Sequence, residues 1–458
     1  MSGNDLSGVV KAYDVRGLVP DELDEPISRA LGAAFIDVTG AVKIVIAHDM
    51  RESGPGLARA FADGAMHRGA SVIEIGLAST DMLYFASGHL GVPGAMFTAS
   101  HNPARYNGIK LCRANAVAIG RDSGLDEIRA IAERYLAEGL PPAAVSGTAE
   151  QEGLLGAYAA HLRSLVDLTG IRPLKIVVDA GNGMGGYTVP AVLGDAQLPP
   201  LPLEIVPLYF ELDGTFPNHE ANPLEPANLR DLQERVVTEG ADLGLAFDGD
   251  ADRCFVIDAA GAAVSPSAIT CLVAVRELAR SPGANVIHNL ITSRAVPEVI
   301  REHGGTPVRT RVGHSIIKAE MARTGAVFGG EHSAHYYFRD FWFADTGLLA
   351  AMHVLAALGS QPKALADLVE PYARYVASGE INSTVADQAG RIAEVRSAYA
   401  DRATSIDDMD GLTIGLEDGS WFNVRPSNTE PLLRLNVEAA TEQAMARLRD
   451  EVLVVIRG

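Results

Sequence analysis

The sequence predicts an α/β protein made of several units, three doubly wound α/β stretches followed by a C-terminal α+β domain. Up to Pro371, short apolar runs alternate with longer amphipathic ones, the rhythm of βαβ units feeding a mainly parallel sheet. Beyond Pro371 strands follow one another and helices stand apart, which marks an α+β arrangement. A chain of 458 residues also exceeds the ~250–300 residues that one hydrophobic core usually organises.

In the first stretch, residues 43–48 read as a buried strand, 54–68 as a helix and 70–75 as the next strand. A strand over 94–98 runs into Ala-Ser-His-Asn-Pro, and a helix over 125–137 leads into a Gly/Pro-rich boundary at 139–148. The second stretch opens with a strand over 174–179 and the glycine-rich turn Ala-Gly-Asn-Gly-Met-Gly-Gly, and closes with a strand over 243–247. The third holds helices over 268–280, 294–303 and 314–323, with strands over 285–289 and 307–312. Four strands (380–385, 412–416, 421–425 and 432–438) and a closing helix over 442–456 make the last domain. The expected domains are residues 1–146, 147–258, 259–370 and 371–458.

Composition narrows the function. With 47% hydrophobic and 21% charged residues the chain is neither disordered nor fibrous. A net charge of −20 argues against nucleic acid or an anionic membrane as partner. Cys112, Cys254 and Cys271 follow no disulfide or metal-ligand spacing, and neither a secretory signal nor a membrane-length apolar run stands out. The expected compartment is the cytoplasm.

Four motifs can carry chemistry. Asp248-Gly-Asp250-Ala-Asp252-Arg253 follows an apolar strand, so three carboxylates at alternate positions can converge on a hard cation such as Mg²⁺, with Arg253 free to clamp a phosphate. A solvated acidic turn is the bland alternative. An EF-hand is not, because Ala259 stands where its twelfth-position Glu belongs. Ser100-His101-Asn102-Pro103 places a hydroxyl just past a strand end, either a nucleophile or an ordinary turn, and Lys110 ten residues on can supply a proton or counter-charge. In Gly330-Glu331-His332-Ser333-Ala334-His335 an extended loop would put Glu331, Ser333 and His335 on one face, suited to sugar hydroxyls. Arg425-Pro-Ser427-Asn428-Thr429-Glu-Pro431 has the composition of a phosphate cradle. Arg16 in Tyr-Asp-Val-Arg-Gly and His314 in Gly-His-Ser are weaker candidates.

Together and in this order, these segments resemble the α-D-phosphohexomutase superfamily over nearly the whole chain. The resemblance implies three related doubly wound α/β domains plus a C-terminal α+β domain around a central cleft. It implies that Ser100 is a phosphoserine and that Asp248, Asp250, Asp252 and a phosphoserine oxygen bind Mg²⁺. Arg16, His101 and Lys110 would surround the transfer site, with His314 assisting proton transfer or substrate contact. Glu331, Ser333 and His335 would read the sugar, and Arg425, Ser427, Asn428 and Thr429 would hold the phosphate that is not reacting. A hexose 1,6-bisphosphate would be intermediate and activator.

The segment Gly-Gly-Glu-His-Ser-Ala-His resembles the bacterial phosphomannomutase branch. That implies interconversion of mannose 1-phosphate and mannose 6-phosphate, feeding GDP-mannose synthesis, by a monomer or homodimer. Dual mannose/glucose specificity and a phosphoglucomutase are the alternatives, since the two sugars differ at one hydroxyl. Ile291 stands where many relatives carry a basic residue. A metal-dependent sugar phosphatase and a non-catalytic sugar-phosphate sensor are the rival readings, and the sensor is disfavoured by the presence of Ser100 and all three aspartates.

Overall fold

The computed structural model describes residues 5–142, 145–427 and 432–458, and among them four sheets organise the chain. In the first, Gly94–Phe97 and Ser71–Leu77 flank Lys43–His48 as parallel neighbours, and Tyr106–Arg113 returns antiparallel beside Gly94–Phe97. In the second, Leu243–Phe247 and Leu203–Leu208 flank Leu174–Asp179, and Cys254–Asp258 returns antiparallel beside Leu243–Phe247. In the third, Phe328–Gly330 and Thr306–Thr310 flank Asn285–Asn289, and Tyr336–Phe338 returns beside Phe328–Gly330. The three α/β units therefore share one strand order. Each parallel core carries an antiparallel return strand, which the reading as mainly parallel sheets had not included.

That order places function. The turn between the last parallel strand and its return holds Ser100 in the first unit, the aspartates in the second, and Glu331 to His335 in the third. All three turns thus leave the carboxyl end of the equivalent strand, where open α/β sheets build their sites. The fourth sheet, Val376–Thr384, Leu432–Ala439, Trp421–Pro426, Leu412–Leu416 and Ala403–Asp407, is antiparallel throughout.

Burial explains why the central strands form. Alternate residues of a strand face opposite sides, so Ile44 and Ile46 pack under the helices Glu25–Thr39 and Gly54–His67, while Val45 and Ala47 join a core continuous with the next two units. Strands covered on both faces read as unbroken apolar runs. Local signals fix the helix ends: Asp24 caps Glu25–Thr39 through Ile27 N–H, and Gly40 closes it at φ 64°. The fourth domain has its own core around Phe422, Leu433, Leu435 and Val452. The strand Ala149–Gln151 still pairs with Ser71–Leu77 of the first sheet.

Candidate active site

Ser100 ends the strand Gly94–Phe97 in a turn at φ 50°, a left-handed conformation uncommon for a residue with a side chain. Its N–H donates to Thr98 Oγ1 at 2.9 Å, and its hydroxyl donates to Asp248 Oδ2 at 2.8 Å. The second unit's turn approaches so closely that a Cβ on Gly249 would lie 2.4 Å from the Ser100 carbonyl oxygen. Glycine is required there by contact with another backbone.

Asp248, Asp250 and Asp252 are all buried, and oxygens of the three lie within 4.8 Å of one another. Arg253 donates from Nε to Asp248 Oδ2 at 2.8 Å. Lys110 Nζ bridges Asp250 Oδ2 at 2.7 Å and Asp252 Oδ2 at 2.6 Å, and Thr80 donates to Asp250 as well. Asp250 Oδ1 and Asp252 Oδ1 are buried without a hydrogen-bond partner among the described residues. A buried carboxylate oxygen is costly to leave unpaired, so this donor set fits a hard divalent cation. The crowding sets the titration. Burial and the Asp250 charge push the Asp252 carboxyl up, whereas for Asp250 burial is outweighed by Lys110 and its hydrogen bonds, which hold the group down. Burial also opposes charge on Lys110, yet the two aspartates keep its ammonium well above the ordinary range.

Arg16 and His101 line the same turn. Arg16 donates to Asn102 Oδ1 at 2.6 Å and pairs with Asp14. His101 Nδ1 is in contact with both Ser100 Oγ and the Arg253 guanidinium, and burial together with Arg253 and Arg16 drives its pKa well down. His314 starts the helix His314–Thr324, stacks edgewise on Tyr13 at 5.5 Å, and is likewise depressed by burial and Lys318.

The third turn corrects an expectation. Residues 331–335 are not extended: Ala334 takes φ 64°, and Glu331 N–H closes on the His335 carbonyl at 3.0 Å. A tight turn between two paired strands cannot keep alternate residues on one face. Glu331 therefore turns inward, accepting from Asn289 Nδ2 at 3.0 Å and from the Tyr337 hydroxyl. His335 lies 2.9 Å from Asp345 Oδ2 and 3.8 Å from Asp252 Oδ1, and its ring stacks at 6.2 Å on the same Tyr337 that donates to Glu331. Ser333 sits half-buried between them.

In the fourth domain Glu380 accepts from Arg425 Nη2 at 2.6 Å and from Arg434 Nη1 at 3.1 Å. Ser427 N–H donates to the Leu432 carbonyl at 2.8 Å; Asn428 and Thr429 lie outside the described residues. Arg425 stands near the third turn: burial, then the Arg425 charge, lowers His332 to about 3. Ile291 is buried, so no basic side chain reaches the site from that position.

Several contributors escaped the sequence reading. Arg51 and Asp49 form a buried ion pair behind Ser100, and Lys318 pairs with Asp345 at 2.8 Å. The visible signal was a carboxylate and a guanidinium two residues apart, directly after the buried strand Lys43–His48. Glu380 and Arg434 had none, since their meeting depends on strand register.

Known proteins share this arrangement. Profiles of the phosphoglucomutase/phosphomannomutase family match residues 8–138 (alpha/beta/alpha domain I), 156–261 (domain II), 265–375 (domain III) and 380–454 (C-terminal domain). A protein of Xanthomonas campestris pv. campestris described as phosphohexose mutases is 42% identical over 98% of this chain and 99% of its own. A phosphomannomutase of Salmonella typhimurium is 39% identical over 97% of this chain and 98% of its own. The crystal structure of a phosphoglucomutase/phosphomannomutase family protein from Burkholderia thailandensis superposes with a TM-score of 0.86 at 32% identity, covering 100% of this chain and 97% of that one. With all four domains matched and near-complete coverage at such identity, the chain belongs to the phosphoglucomutase/phosphomannomutase family of α-D-phosphohexomutases.

Proposed function

We propose that the chain is a phosphomannomutase, interconverting mannose 1-phosphate and mannose 6-phosphate through a phosphorylated Ser100 and a 1,6-bisphosphate. The observation that carries this is Ser100 Oγ held 2.8 Å from Asp248 among three buried aspartates, with Lys110 and Arg253 on the same carboxylates. Asp248, Asp250, Asp252 and an oxygen of phosphorylated Ser100 would hold Mg²⁺, which when bound neutralises charge on the transferring group.

The side chains divide the remaining work. Arg253, Arg16 and His101 direct N–H donors at the phosphoryl oxygens. Transfer breaks the bond between Ser100 Oγ and phosphorus and joins that phosphorus to a sugar hydroxyl oxygen, whose proton leaves as Ser100 regains one. Lys110 and His314 would exchange that proton. Glu331, Ser333 and His335 read the sugar, while Arg425, Ser427, Asn428 and Thr429 hold the distant phosphate. The bisphosphate then turns end for end and returns its other phosphate to Ser100, and added hexose 1,6-bisphosphate restores enzyme that has lost its phosphate. Among the described residues no helix is long and apolar enough to cross a membrane, and the three cysteines are buried and free; both are compatible with the cytoplasm.

The phosphomannomutase relative supports mannose, and the relative described as phosphohexose mutases favours a second reading, dual specificity. Turnover of mannose 1-phosphate and glucose 1-phosphate with Mg²⁺ and a trace of glucose 1,6-bisphosphate tests both, with free phosphate monitored. Preference for mannose supports the first, and equal rates the second. Phosphate release without 6-phosphate product would sink both.

A further inference from the structure

Arg51 follows the strand Lys43–His48 and is 2% exposed, and its guanidinium touches neither substrate surface nor aspartate turn but the back of the serine loop. Nη2 donates to the carbonyls of Ser100 at 2.9 Å and Asn102 at 2.6 Å. Nη1 donates to the carbonyls of Pro103 at 2.9 Å and Tyr106 at 3.0 Å, and Nε pairs with Asp49 Oδ2 at 3.3 Å. All five N–H donors of the guanidinium are thereby used. Its four carbonyl acceptors span the segment 100–106, where Ser100 is left-handed at φ 50°.

We propose that Arg51 is the positioning residue of the phosphate-carrying serine, a cation that gathers four carbonyls and so holds Ser100 in the one conformation that aims its hydroxyl at Asp248. The inference rests on the reading of Ser100 as phosphate carrier. In a left-handed residue the carbonyl is reversed relative to extended chain, and Arg51 captures that reversed carbonyl. A lysine, with three donors and no planar fork, cannot satisfy the same set.

The second unit locks the guanidinium in place. Phe216 lies over it at 5.1 Å, and Gly214 packs so tightly that a Cβ would come within 2.8 Å of Arg51 Cα. That segment is itself fixed by Asn182 of the glycine-rich turn, which donates to the Glu211 carbonyl at 2.9 Å and accepts from Asp213 N–H at 3.0 Å. The turn that the sequence singled out, and that phosphoryl transfer does not use, thus reaches the serine through Arg51.

The test compares wild type, Arg51→Lys, Arg51→Ala and Phe216→Ala as full-length protein, after incubation with glucose 1,6-bisphosphate. Displacing a reacting group by about 1 Å can cost about 100-fold, so Arg51→Lys should lose about that much kcat with KM little changed. The ³¹P resonance of phosphorylated Ser100 should shift, and added guanidinium should rescue Arg51→Ala but not Ser100→Ala. If Arg51→Ala does not fold, Phe216→Ala provides the same readings with a smaller fall in kcat. Turnover and ³¹P resonance equal to wild type in Arg51→Lys would overturn the proposal. A wild type with neither mutase turnover nor phosphoserine would instead overturn the functional reading on which it rests.

Discussion

Two joints hold the domains together, and they are made differently. Where the first three units meet, Asp81 at the start of Thr80–Leu90 is fully buried and accepts from Tyr158 at 2.7 Å, from Thr346 at 2.6 Å, and from Ser79. Around it Phe85 meets Tyr158, His161 and Trp342 at centroid distances of 5.8, 5.4 and 6.1 Å. One side chain from each unit thus converges on a single carboxylate inside one continuous core. Between the third unit and the fourth domain the contacts named are polar and partly exposed: Arg309 pairs with Asp407, Val312 N–H donates to Asp410 at 3.2 Å, and the Arg294 guanidinium donates to the Gly419 carbonyl. The aspartates and the serine lie on units joined by the first kind of contact, and Arg425 with Ser427 on the domain joined by the second. Under the proposed function, the chemistry that tolerates little displacement falls in the units that share one core, while the domain assigned to the distant phosphate is held by contacts that can be exchanged for water.

The contrast can be broken experimentally. Phe85→Ala should cost about 3–5 kcal/mol in chemical denaturation, because it opens a cavity where all three units touch. A loss below about 1 kcal/mol would mean that the aromatic joint does not hold the block together. Burial raises the Asp81 carboxyl to about 6 despite its three donors. With the folded pKa above the unfolded value, this group's contribution is complete below about pH 4 and fades as pH rises through 6, on the order of 2–3 kcal/mol. The difference in stability between wild type and Asp81→Asn measured from pH 4 to 7 should show that slope, and a flat difference would refute it.

Tyr158→Phe removes one donor from the buried carboxylate without emptying space, and about 1–3 kcal/mol should be lost in the same denaturation assay. At the other joint, Arg309→Ala should cost at most about 1 kcal/mol, since both partners are about a third exposed. Its signature should be kinetic, a changed KM for mannose 1-phosphate that depends on salt. A destabilisation as large as that of Phe85→Ala would erase the distinction between the joints.

Some of this was legible in the sequence. Lys43–His48, Leu174–Asp179, Leu243–Phe247 and Asn285–Asn289 have the predicted bounds, because mostly apolar runs describe strands covered on both faces, and Leu412–Leu416 has them through alternate burial of Leu412 and Ile414. The convergence of Asp248, Asp250 and Asp252 followed from their spacing after a strand end, whereas Lys110 was placed at the transfer site only by the family resemblance. The return strand Tyr106–Arg113 was not read, since Asn107, Gly108 and Lys110 interrupt its apolar pattern and its pairing comes from Gly94–Phe97. The helix Gly347–Gly359 was missed because it is buried nearly all round and so lacks an amphipathic period. The turn at 331–335 departed from expectation through Ala334, whose positive φ no residue type announces. Arg51 offered only its spacing from Asp49 after a buried strand; its importance lies in carbonyls about fifty residues away.

The shared strand order of the first three units has a consequence for how such a protein can change. Under the proposed function, one exit, repeated three times, carries three separate tools: a carrier, a cation seat and a reader. Because each tool is a short turn on a sheet that does not depend on it, the reader can be recut for another sugar while carrier and cation seat keep their form. Novelty in this architecture is thus cheap at the third turn and forbidding at the first two.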